Sequence, residues 1–262
     1  GAVECEELLK AGNAVPPLSI RVNPLKTTVE EVEGVCKAKK TALSKGLHIE
    51  EPSNIAETDM FREGLLSIQD IGAQMASITL DPHPGDRVLD MCAAPGGKTT
   101  HMAELMQNEG EIMAWDIHAH KTELIRKNAH RLGISIIDVK TQDARALRTE
   151  CIGYYDKVMV DVPCSGLGII RKKPDIKWQR TAEDIKALNK TQEAILETAA
   201  KYVRDGGDLV YCTCTINRAE NEEIVDAFLE KHAEFTLLEP YRQLLPHTDN
   251  TDGFFIAKIG KR

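Results

Sequence analysis

The sequence lacks several features that would assign a chain to a specialised class of protein. None of its apolar runs approaches the roughly 18 to 20 residues that a helix needs to cross a bilayer. The N-terminal stretch "GAVECEELLK" has neither the basic flank nor the apolar centre of a secretory signal. Internal repeats and low-complexity segments are also missing. With 262 residues, of which 42% are hydrophobic, the sequence predicts a globular protein with a sizeable core, and we expect it to be cytoplasmic.

A surplus of basic residues is also missing, since the formal net charge is −8. Nonspecific, charge-driven binding to nucleic acids usually shows as such a surplus. Any contact with a nucleic acid should therefore depend on a local basic patch. The segment 171–180, "RKKPDIKWQR", is the clearest candidate, because it holds five basic residues and one acid.

The sequence contains seven cysteines, but no two of them have the C-x-x-C spacing of a zinc ribbon. We therefore predict no metal site. Their number is odd and no secretory signal is present, so reduced thiols are expected rather than a disulfide framework. Five of them are interpreted as small buried hydrophobes: Cys5, Cys36, Cys92, Cys151 and Cys212.

From about residue 83, apolar strand-like runs alternate with helical patterns. Helices are predicted over 181–203, which opens with a Thr181–Asp184 capping box, and over 119–132, which Gly133 ends. This alternation favours an α/β fold with a parallel, doubly wound sheet and helices on both faces. The predicted strands are 87–93, 110–117, 136–142, 156–162 and 207–213, with 235–239 and 253–260 expected to close the sheet as an antiparallel edge.

Residues 1–68 have a different pattern and are predicted to form a separate small α+β unit. A helix over 70–80 would join this unit to the sheet domain, which we assign to residues 69–262. The elements predicted for the first unit are strands at 16–24, 46–52 and 64–70 and a short amphipathic helix at 29–40.

A glycine-bearing turn separates a strand from a helix in "VLDMCAAPGGKTTHMAEL" (88–105). Such a turn lets backbone N–H groups approach a ligand beside the positive end of a helix. It is not a P-loop, because Cys92 stands where G-x-x-x-x-G-K-[ST] requires glycine, and it is not G-x-G-x-x-G. Asp116 and Asp143 end the next two strands, where acids can contact a ribose and an adenine amine. A single acid of this kind often only caps a turn, but two beside a glycine turn favour a nucleotide cofactor.

Cys164 and Cys214 follow the fourth and fifth predicted strands of the sheet. In the common doubly wound order these strands are neighbours, and parallel strands end at the edge where ligands bind. Since adjacent strands lie about 4.8 Å apart, the two sulfurs are expected within roughly 10 Å of each other. A helix predicted to start near Asn217 would lower the pKa of the Cys214 thiol, whereas Glu220 and its acidic neighbours would oppose that effect.

Two thiols at one sheet edge match the chemistry of methylation at carbon 5 of a pyrimidine. That carbon is a poor nucleophile until a thiolate adds to carbon 6. With the thiolate attached, carbon 5 can accept a methyl group from a sulfonium donor. A base then removes the proton on carbon 5, and the sulfur leaves. Asp161 is a candidate hydrogen-bond partner for the cytosine edge. The residues alone do not decide which of the two cysteines attacks.

Four motifs resemble those of the Sun/Fmu (RsmB-like) family of RNA cytosine-5 methyltransferases: "DMCAAPGGKTTH", "DVPCSGLGIIRKKPDIKW", "YCTCT" with "ENE", and "DGFFIAK". The resemblance extends from about residue 16 to the C-terminus. It implies a Rossmann-like S-adenosylmethionine (SAM) domain preceded by a small RNA-recognition-like unit, with RNA as the partner. We expect the protein to be a monomer. The stretch "IRKKPDIKW" resembles the ribosomal-RNA members in particular.

The resemblance also implies roles for individual residues. Cys214 becomes the nucleophile and Cys164 the thiol that assists product release, with Asp161 and Lys98 completing the catalytic set. Asp116 would contact the ribose and Asp143 the adenine. The remaining implied cofactor contacts are Cys92, Ala93, Ala94, Pro95, Gly96, Gly97, Lys98, Lys121 and Asp161.

An enzyme that methylates a base in RNA must take that base out of a stack or act on a single strand. The basic run offers phosphate contacts, and Arg171 is favoured because it follows Cys164 most closely. Trp178 is interpreted either as a stacking platform or as core. Lys98 is interpreted either as a pocket residue or as a surface lysine. The predicted RNA contacts are Arg171, Lys172, Lys173, Lys177 and Arg180.

The sequence thus predicts a SAM-dependent enzyme that methylates carbon 5 of a cytosine in RNA through a covalent cysteine–cytosine adduct. Small-subunit ribosomal RNA is the first choice of substrate, and transfer RNA is the alternative. A third hypothesis is a non-catalytic RNA-binding factor of ribosome assembly that keeps the SAM fold. The intact set of Asp161, Cys164 and Cys214 argues against that third hypothesis.

Overall fold

The computed structural model describes residues 1–50 and 54–262 and contains two sheets. The first sheet is antiparallel throughout, in the strand order β2-β3-β1-β4. This βαββαβ arrangement is the ferredoxin-like topology, and it matches the predicted RNA-recognition-like unit. Its elements, with the helices before and after them, are α1 Ala2–Ala11, β1 Leu18–Val22, α2 Val29–Val35, β2 Ala38–Lys40, β3 Gly46–Ile49, α3 Asp59–Arg62, β4 Leu66–Ile68 and α4 Ile71–Leu80.

Successive side chains along a strand point to opposite faces of the sheet, and the two faces of this first sheet differ in composition. Ile20 and Val22 of β1 pack with Leu47 of β3 and Val32 of α2 in a small apolar core. The intervening Arg21 points to the opposite face, towards the second sheet. The unit therefore has its own core on one side and a polar docking surface on the other.

The helix predicted over 29–40 is shorter in the structure. It ends at Val35, and Ala38–Lys40 forms the edge strand β2, with Lys39 paired to His48. Lysines suit an exposed sheet edge because they discourage pairing with another chain. Part of the strand predicted at 46–52 lies outside the described residues, since β3 is described as Gly46–Ile49 and residues 51–53 are not described.

The second sheet has eight strands in the order β10-β12-β9-β8-β5-β6-β7, with β11 also paired to β12. Strands β5 to β9 are parallel, and β12 closes the sheet antiparallel to β9, as predicted. The short β11 was not predicted. The elements are β5 Arg87–Asp90, α5 Gly97–Leu105, β6 Glu111–Asp116, α6 Ala119–Leu132, β7 Ile137–Thr141, β8 Tyr155–Asp161, α7 Ile176–Gln179, α8 Ala182–Tyr202, β9 Val203–Thr213, α9 Glu222–Lys231, β10 Phe235–Leu237, β11 Arg242–Leu244, α10 Pro246–Asp249 and β12 Phe254–Lys261.

Helices cover both faces of this sheet, which confirms the predicted α/β fold. Along β9, Leu209 and Tyr211 pack on the face covered by α8 and α9, while Val210 and Cys212 pack on the face covered by α4 and α5. Strands buried on both faces need continuous apolar runs, which is why these runs were visible in the sequence. The interpretation of Cys212 as a buried hydrophobe is confirmed, but Cys5 is exposed, so the same interpretation was wrong for Cys5.

Three local signals of helix ends have mixed outcomes. The Thr181–Asp184 capping box and the end of α6 at Gly133, whose φ is 75°, are confirmed. The helix expected near Asn217 begins later: residues 218–220 form a single 3-10 turn, and α9 starts at Glu222. The positive end of α9 therefore lies farther from Cys214 than predicted.

The predicted boundary at residue 68 falls at the end of β4, and it stays a prediction. Helix α1 has no buried residue and contacts α10, so the first eleven residues lie against the second sheet's unit rather than the first. Within residues 1–50 and 54–262, no helix has the length and apolar character needed to cross a membrane.

Arg21 links the two sheets through a buried ion pair. Its Nε donates to Glu104 Oε2 at 2.7 Å and its Nη2 donates to Glu104 Oε1 at 2.8 Å, and Arg21 is 0% exposed. Such two-point pairing is the strongest form of this contact. Burial raises the pKa of Glu104 above its usual range, although Arg21 favours the charged form.

We expect Arg21→Met to lower the free energy of unfolding by about 3 to 5 kcal/mol, because it leaves the Glu104 carboxylate buried without its partner. Urea denaturation followed by circular dichroism measures the change. The control is Lys39→Met, which breaks the exposed pair between Lys39 and Glu50 and should lower the free energy of unfolding far less, because solvent screens exposed ion pairs. Equal losses in the two variants would contradict this account of the link.

Candidate functional site

The parallel strands β5 to β9 all end at one edge of the second sheet, and a cavity of about 670 Å³ lies there. Ligands of open α/β sheets bind outside this edge. Most of the predicted cofactor and catalytic residues line the cavity. They are Cys92, Ala94, Asp116, Lys121, Asp143, Asp161, Cys164 and Cys214.

The two thiols at this edge are in direct contact. Cys164 Sγ and Cys214 Sγ lie 3.3 Å apart, well inside the separation predicted from strand spacing. The contact follows from the pairing of β8 with β9, in which Asp161 is opposite Cys212. A backbone hydrogen bond from Gly168 N to Cys214 O, at 3.0 Å, ties the two loops together beyond the strands.

The contact makes the two sulfurs chemically different. The hydrogen bond from Cys164 lowers the pKa of Cys214, and nearby Lys98 lowers it further, although burial and Asp161 oppose both effects. The same hydrogen bond, together with burial, raises the pKa of Cys164. The thiolate is the nucleophilic form of a cysteine, so a lowered pKa of Cys214 agrees with its predicted role as nucleophile, which stays a prediction.

Glu220 fixes both thiol-bearing loops, a role that the sequence did not reveal. The side chain is 0% exposed and accepts hydrogen bonds from Ser165 N at 2.8 Å and from Thr215 Oγ1 at 3.3 Å. Gln192 Nε2 also donates to it, at 3.1 Å. The sequence suggested instead that Glu220 opposes ionisation of the thiol. Its place in the "ENE" motif was the available signal, but its partners are brought to it only by the fold.

Lys98 and Asp161 form a half-buried ion pair next to the thiols. Lys98 Nζ lies 2.6 Å from Asp161 Oδ2, and the Lys98 side chain is 13% exposed. The interpretation of Lys98 as a surface lysine was therefore wrong. Burial disfavours the charge on Lys98, but the attraction of Asp161 outweighs it, so the pKa of Lys98 lies above its ordinary value.

The glycine turn connects β5 to α5 through a conformation that requires glycine. Gly96 has φ of 101°, and a Cβ on it would lie 3.2 Å from Ile125 Cα. The space beside Gly97, in contrast, is open. Among the residues that the structure describes, a Cβ there would meet only Gln69 Nε2, at 3.7 Å, and this buried amide nitrogen has no hydrogen-bond partner. Open space beside an unpaired donor fits the close approach of a polar ligand to the turn.

The remaining turn residues face a second, smaller cavity on the other side of the turn. Ala93, Pro95, Gly97 and Lys98 line it, whereas Gly96 lines neither cavity. Cys92, Ala94 and Asp161 line both cavities. The two spaces are therefore neighbours that share these residues along their common boundary.

The two acids at the strand ends have different surroundings. Asp116 is 8% exposed, and its Oδ1 accepts a hydrogen bond from His118 N at 2.9 Å. Asp143 is paired with Arg145 at 2.7 Å, and the hydrogen bond from Arg145 lowers the pKa of Asp143. Both acids, with Lys121, line the larger cavity.

Of the predicted RNA contacts, Arg171 alone has a buried side chain, and Lys172 is exposed but paired with acids. Arg171 was the favoured phosphate contact, and the structure corrects this choice, because its side chain is 4% exposed and paired with Asp252 at 3.0 Å. Lys172 is paired with Asp252 and Asp70. Both side chains thus hold the loop to the rest of the fold.

The other three residues of the basic run are exposed. Lys173 and Arg180 line the larger cavity, and Lys177 donates a hydrogen bond to Asn13. Trp178 is 87% exposed, so its interpretation as core was wrong. In the described part of the chain, no group of three or more His, Cys, Asp or Glu side chains is placed to hold a metal ion.

Comparisons with known proteins agree with this architecture. Residues 77–260 match the family described as 16S rRNA methyltransferase RsmB/F. The probable ribosomal RNA small subunit methyltransferase B of Bacillus subtilis is 39% identical over an alignment that covers 100% of this chain and 64% of that protein. The present chain thus spans less than two thirds of the length of that relative.

Two solved structures are close in fold. The crystal structure of PH0851 superposes with a TM-score of 0.95 at 37% identity, covering 99% of this chain and 63% of that one. NSun6 from Pyrococcus horikoshii with SFG superposes with a TM-score of 0.91 at 25% identity, covering 100% and 95%. The family match over most of the chain, together with the identity to the relative from Bacillus subtilis, establishes that this chain belongs to the RsmB/F family of 16S rRNA methyltransferases.

Proposed function

We propose that this protein transfers a methyl group from SAM to carbon 5 of a cytosine in RNA, with small-subunit ribosomal RNA as the substrate. The observation that carries the proposal is the contact between Cys164 and Cys214, 3.3 Å apart in a cavity lined by Asp116 and Asp143. The name of the relative from Bacillus subtilis supports the choice of RNA. The NSun6 structure with SFG, a SAM analogue, supports the choice of cofactor.

The residues around the larger cavity suit a nucleoside with a charged tail. Asp116 would accept hydrogen bonds from the ribose hydroxyls, and Asp143 would accept one from the adenine amine. Lys121 and the turn 92–98 would complete the binding site. When bound there, SAM supplies an electrophilic methyl group.

The chain's own residues would prepare carbon 5 for that group. The Cys214 thiolate adds to carbon 6 of the cytosine, and the new S–C bond raises the electron density at carbon 5. Asp161 accepts a hydrogen bond from the exocyclic amine, while the ion pair with Lys98 fixes the position of the Asp161 side chain. This pair would orient the base against the sulfur.

Release would depend on the second sulfur. Once carbon 5 carries the methyl group, its proton passes to a base such as solvent water. The electron pair of the C5–H bond then forms the C5=C6 double bond, and the S–C bond to Cys214 breaks with that sulfur leaving as a thiolate. Cys164, in contact with Cys214, is placed to assist this step. The lowered pKa of Cys214 supports its role as the attacking thiol, and the raised pKa of Cys164 supports its role as the thiol that assists release.

The exposed face of the segment 171–180 would contact the RNA around the target. Lys173, Lys177 and Arg180 offer phosphate contacts, and Trp178 offers a surface on which an unpaired base can stack. Because Lys173 and Arg180 also line the larger cavity, this segment leads from the surface to the thiols.

Two variants separate the roles of the thiols. We expect Cys214→Ala to abolish methylation, because no thiolate remains to add to carbon 6, while SAM binding measured by calorimetry is unchanged. Cys164→Ala should accumulate a covalent RNA–protein adduct, visible as a band stable to denaturing gel electrophoresis, because release fails. Cys151→Ala is the control and should behave like the wild type, since this cysteine lies outside both cavities. A stable adduct in Cys214→Ala instead of Cys164→Ala would reverse the assignment.

The contact between the sulfurs also predicts a pH effect. Alkylation of Cys214 by iodoacetamide requires the thiolate, so its rate rises as pH passes through the pKa of Cys214. Removing the hydrogen-bond donor in Cys164→Ala leaves burial to dominate, which raises the pKa of Cys214 and moves the alkylation profile to higher pH. Peptide mass spectrometry measures the profile. Cys164→Ser keeps a hydrogen-bond donor, so its alkylation profile should lie between those of the wild type and Cys164→Ala. An unchanged profile in Cys164→Ala would show that the hydrogen bond from Cys164 does not lower the pKa of Cys214.

The choice of RNA is tested by incubating the protein and SAM with total RNA and sequencing the modified cytosines. We expect 5-methylcytosine in small-subunit ribosomal RNA. Methylation confined to transfer RNA would select the alternative enzyme. A protein that binds no SAM in calorimetry and modifies neither RNA would instead be the non-catalytic assembly factor.

A further inference from the structure

The smaller cavity, of about 190 Å³, lies between the glycine turn and the start of α4. Gln69, Asp90, Gly97 and Lys98 line it, but neither Cys164 nor Cys214 does. A cytosine that bonds to Cys214 must occupy the larger cavity, where that sulfur is exposed. The smaller cavity is therefore free to bind a group other than the target cytosine.

Gln69 presents an unpaired hydrogen-bond donor at this cavity. The residue is 7% exposed, and its Nε2 has no partner among the described residues. A buried donor without a partner costs free energy, and most such groups in proteins are satisfied. Since Nε2 lies beside Gly97, a ligand that reaches the turn would satisfy it.

Arg21 determines which end of the Gln69 amide faces the cavity. The guanidinium of Arg21 has donors only, so the Gln69 atom in contact with it must be the oxygen. Arg21 is itself fixed by Glu104 and donates to Gly97 O at 3.0 Å. The N-terminal sheet thereby holds Gln69 Nε2 away from Arg21 and towards the turn.

The chemistry of the cavity fits an α-amino acid group. Gln69 Nε2 and the free N–H groups at the start of α5 are donors suited to a carboxylate. The carboxylates of Asp90 and Asp161 also line the cavity and suit an ammonium group. SAM has such a group at the end opposite its adenine, and Cys92, Ala94 and Asp161 line both cavities, so one ligand can extend from the larger into the smaller.

We infer that Gln69, held in place by Arg21, binds the carboxylate of the amino-acid tail of SAM in the smaller cavity. Gln69 is then a binding residue, and Arg21 is a positioning residue that acts through it. This inference rests on the proposed function and deepens it.

The experiment compares two ligands by calorimetry: S-adenosylhomocysteine, which carries the amino-acid tail, and 5′-methylthioadenosine, which lacks it. We expect Gln69→Leu to weaken binding of S-adenosylhomocysteine about tenfold, as for loss of one hydrogen bond to a charged group. Binding of 5′-methylthioadenosine should not change. Gln69→Glu should weaken binding of S-adenosylhomocysteine more than Gln69→Leu does, because it places a negative charge beside the ligand carboxylate.

The matched control is Gln74→Leu. Gln74 is equally buried at the same junction and donates to Gln69 O at 2.9 Å, but it does not line the cavity. This variant should keep the wild-type ratio of the two affinities. Gln69→Asn, which withdraws the amide by one methylene, should reproduce the selective loss if Gln69→Leu fails to fold.

The positioning role of Arg21 has a separate readout. Arg21→Lys keeps a positive charge opposite Glu104 but cannot reach Glu104 and Gln69 together. It should lower the affinity for S-adenosylhomocysteine selectively, and combining it with Gln69→Leu should cause no further loss, since both changes remove the same contact. Additive losses would show that Arg21 does not act through Gln69.

The outcomes distinguish this inference from the proposed function. If the wild type binds both nucleosides and Gln69→Leu leaves the ratio of their affinities unchanged, the inference is wrong and the proposed function stands. If the wild type binds neither nucleoside, the proposed function fails, and the inference fails with it.

Discussion

The parallel pairing of β8 with β9 is the interaction on which the site depends. It places Asp161 of β8 opposite Cys212 of β9, so the two strands end at the same level of the sheet. Cys164 and Cys214, which follow these strands, therefore lie in contact. A register shift of one residue would turn the apolar side chains of either strand to the wrong face. The separation of the sulfurs is therefore maintained by the packing of the whole sheet, and the reactive pair needs no disulfide or metal to stay together.

Buried charged side chains then hold the loops and the junction between the sheets, which the strand pairing alone does not fix in position. Glu220 holds the two thiol-bearing loops, and Arg21 holds Glu104 and the junction between the sheets. A buried charge is tolerated only when it is paired and hydrogen-bonded, and each of these side chains has several partners. They restrict movement at the places where a reacting base and a methyl donor would have to be aligned.

The parts of the site that the sequence could predict are those set by strand order and local pattern. Continuous apolar runs placed the parallel strands, and the rule that such strands end at one edge brought Cys164 near Cys214. The prediction for Arg171 failed, and the structural role of Glu220 was missed, for the opposite reason. Arg171 is buried by Asp252, 81 residues away, and Glu220 is reached by Ser165 from 55 residues away. Neither partner carries a local signal, so only the folded chain reveals them.

The docking of the first sheet also limits how its unit can meet RNA. Sheets of this topology often present aromatic side chains on the two central strands, where bases stack. Here β1 and β3 carry no Phe, Tyr or Trp. On the face that holds Arg21, His48 is hydrogen-bonded to Ser19 and Arg21 is paired with Glu104. This face of the first sheet therefore contacts α5 of the second unit instead of presenting a free surface on which nucleobases could stack.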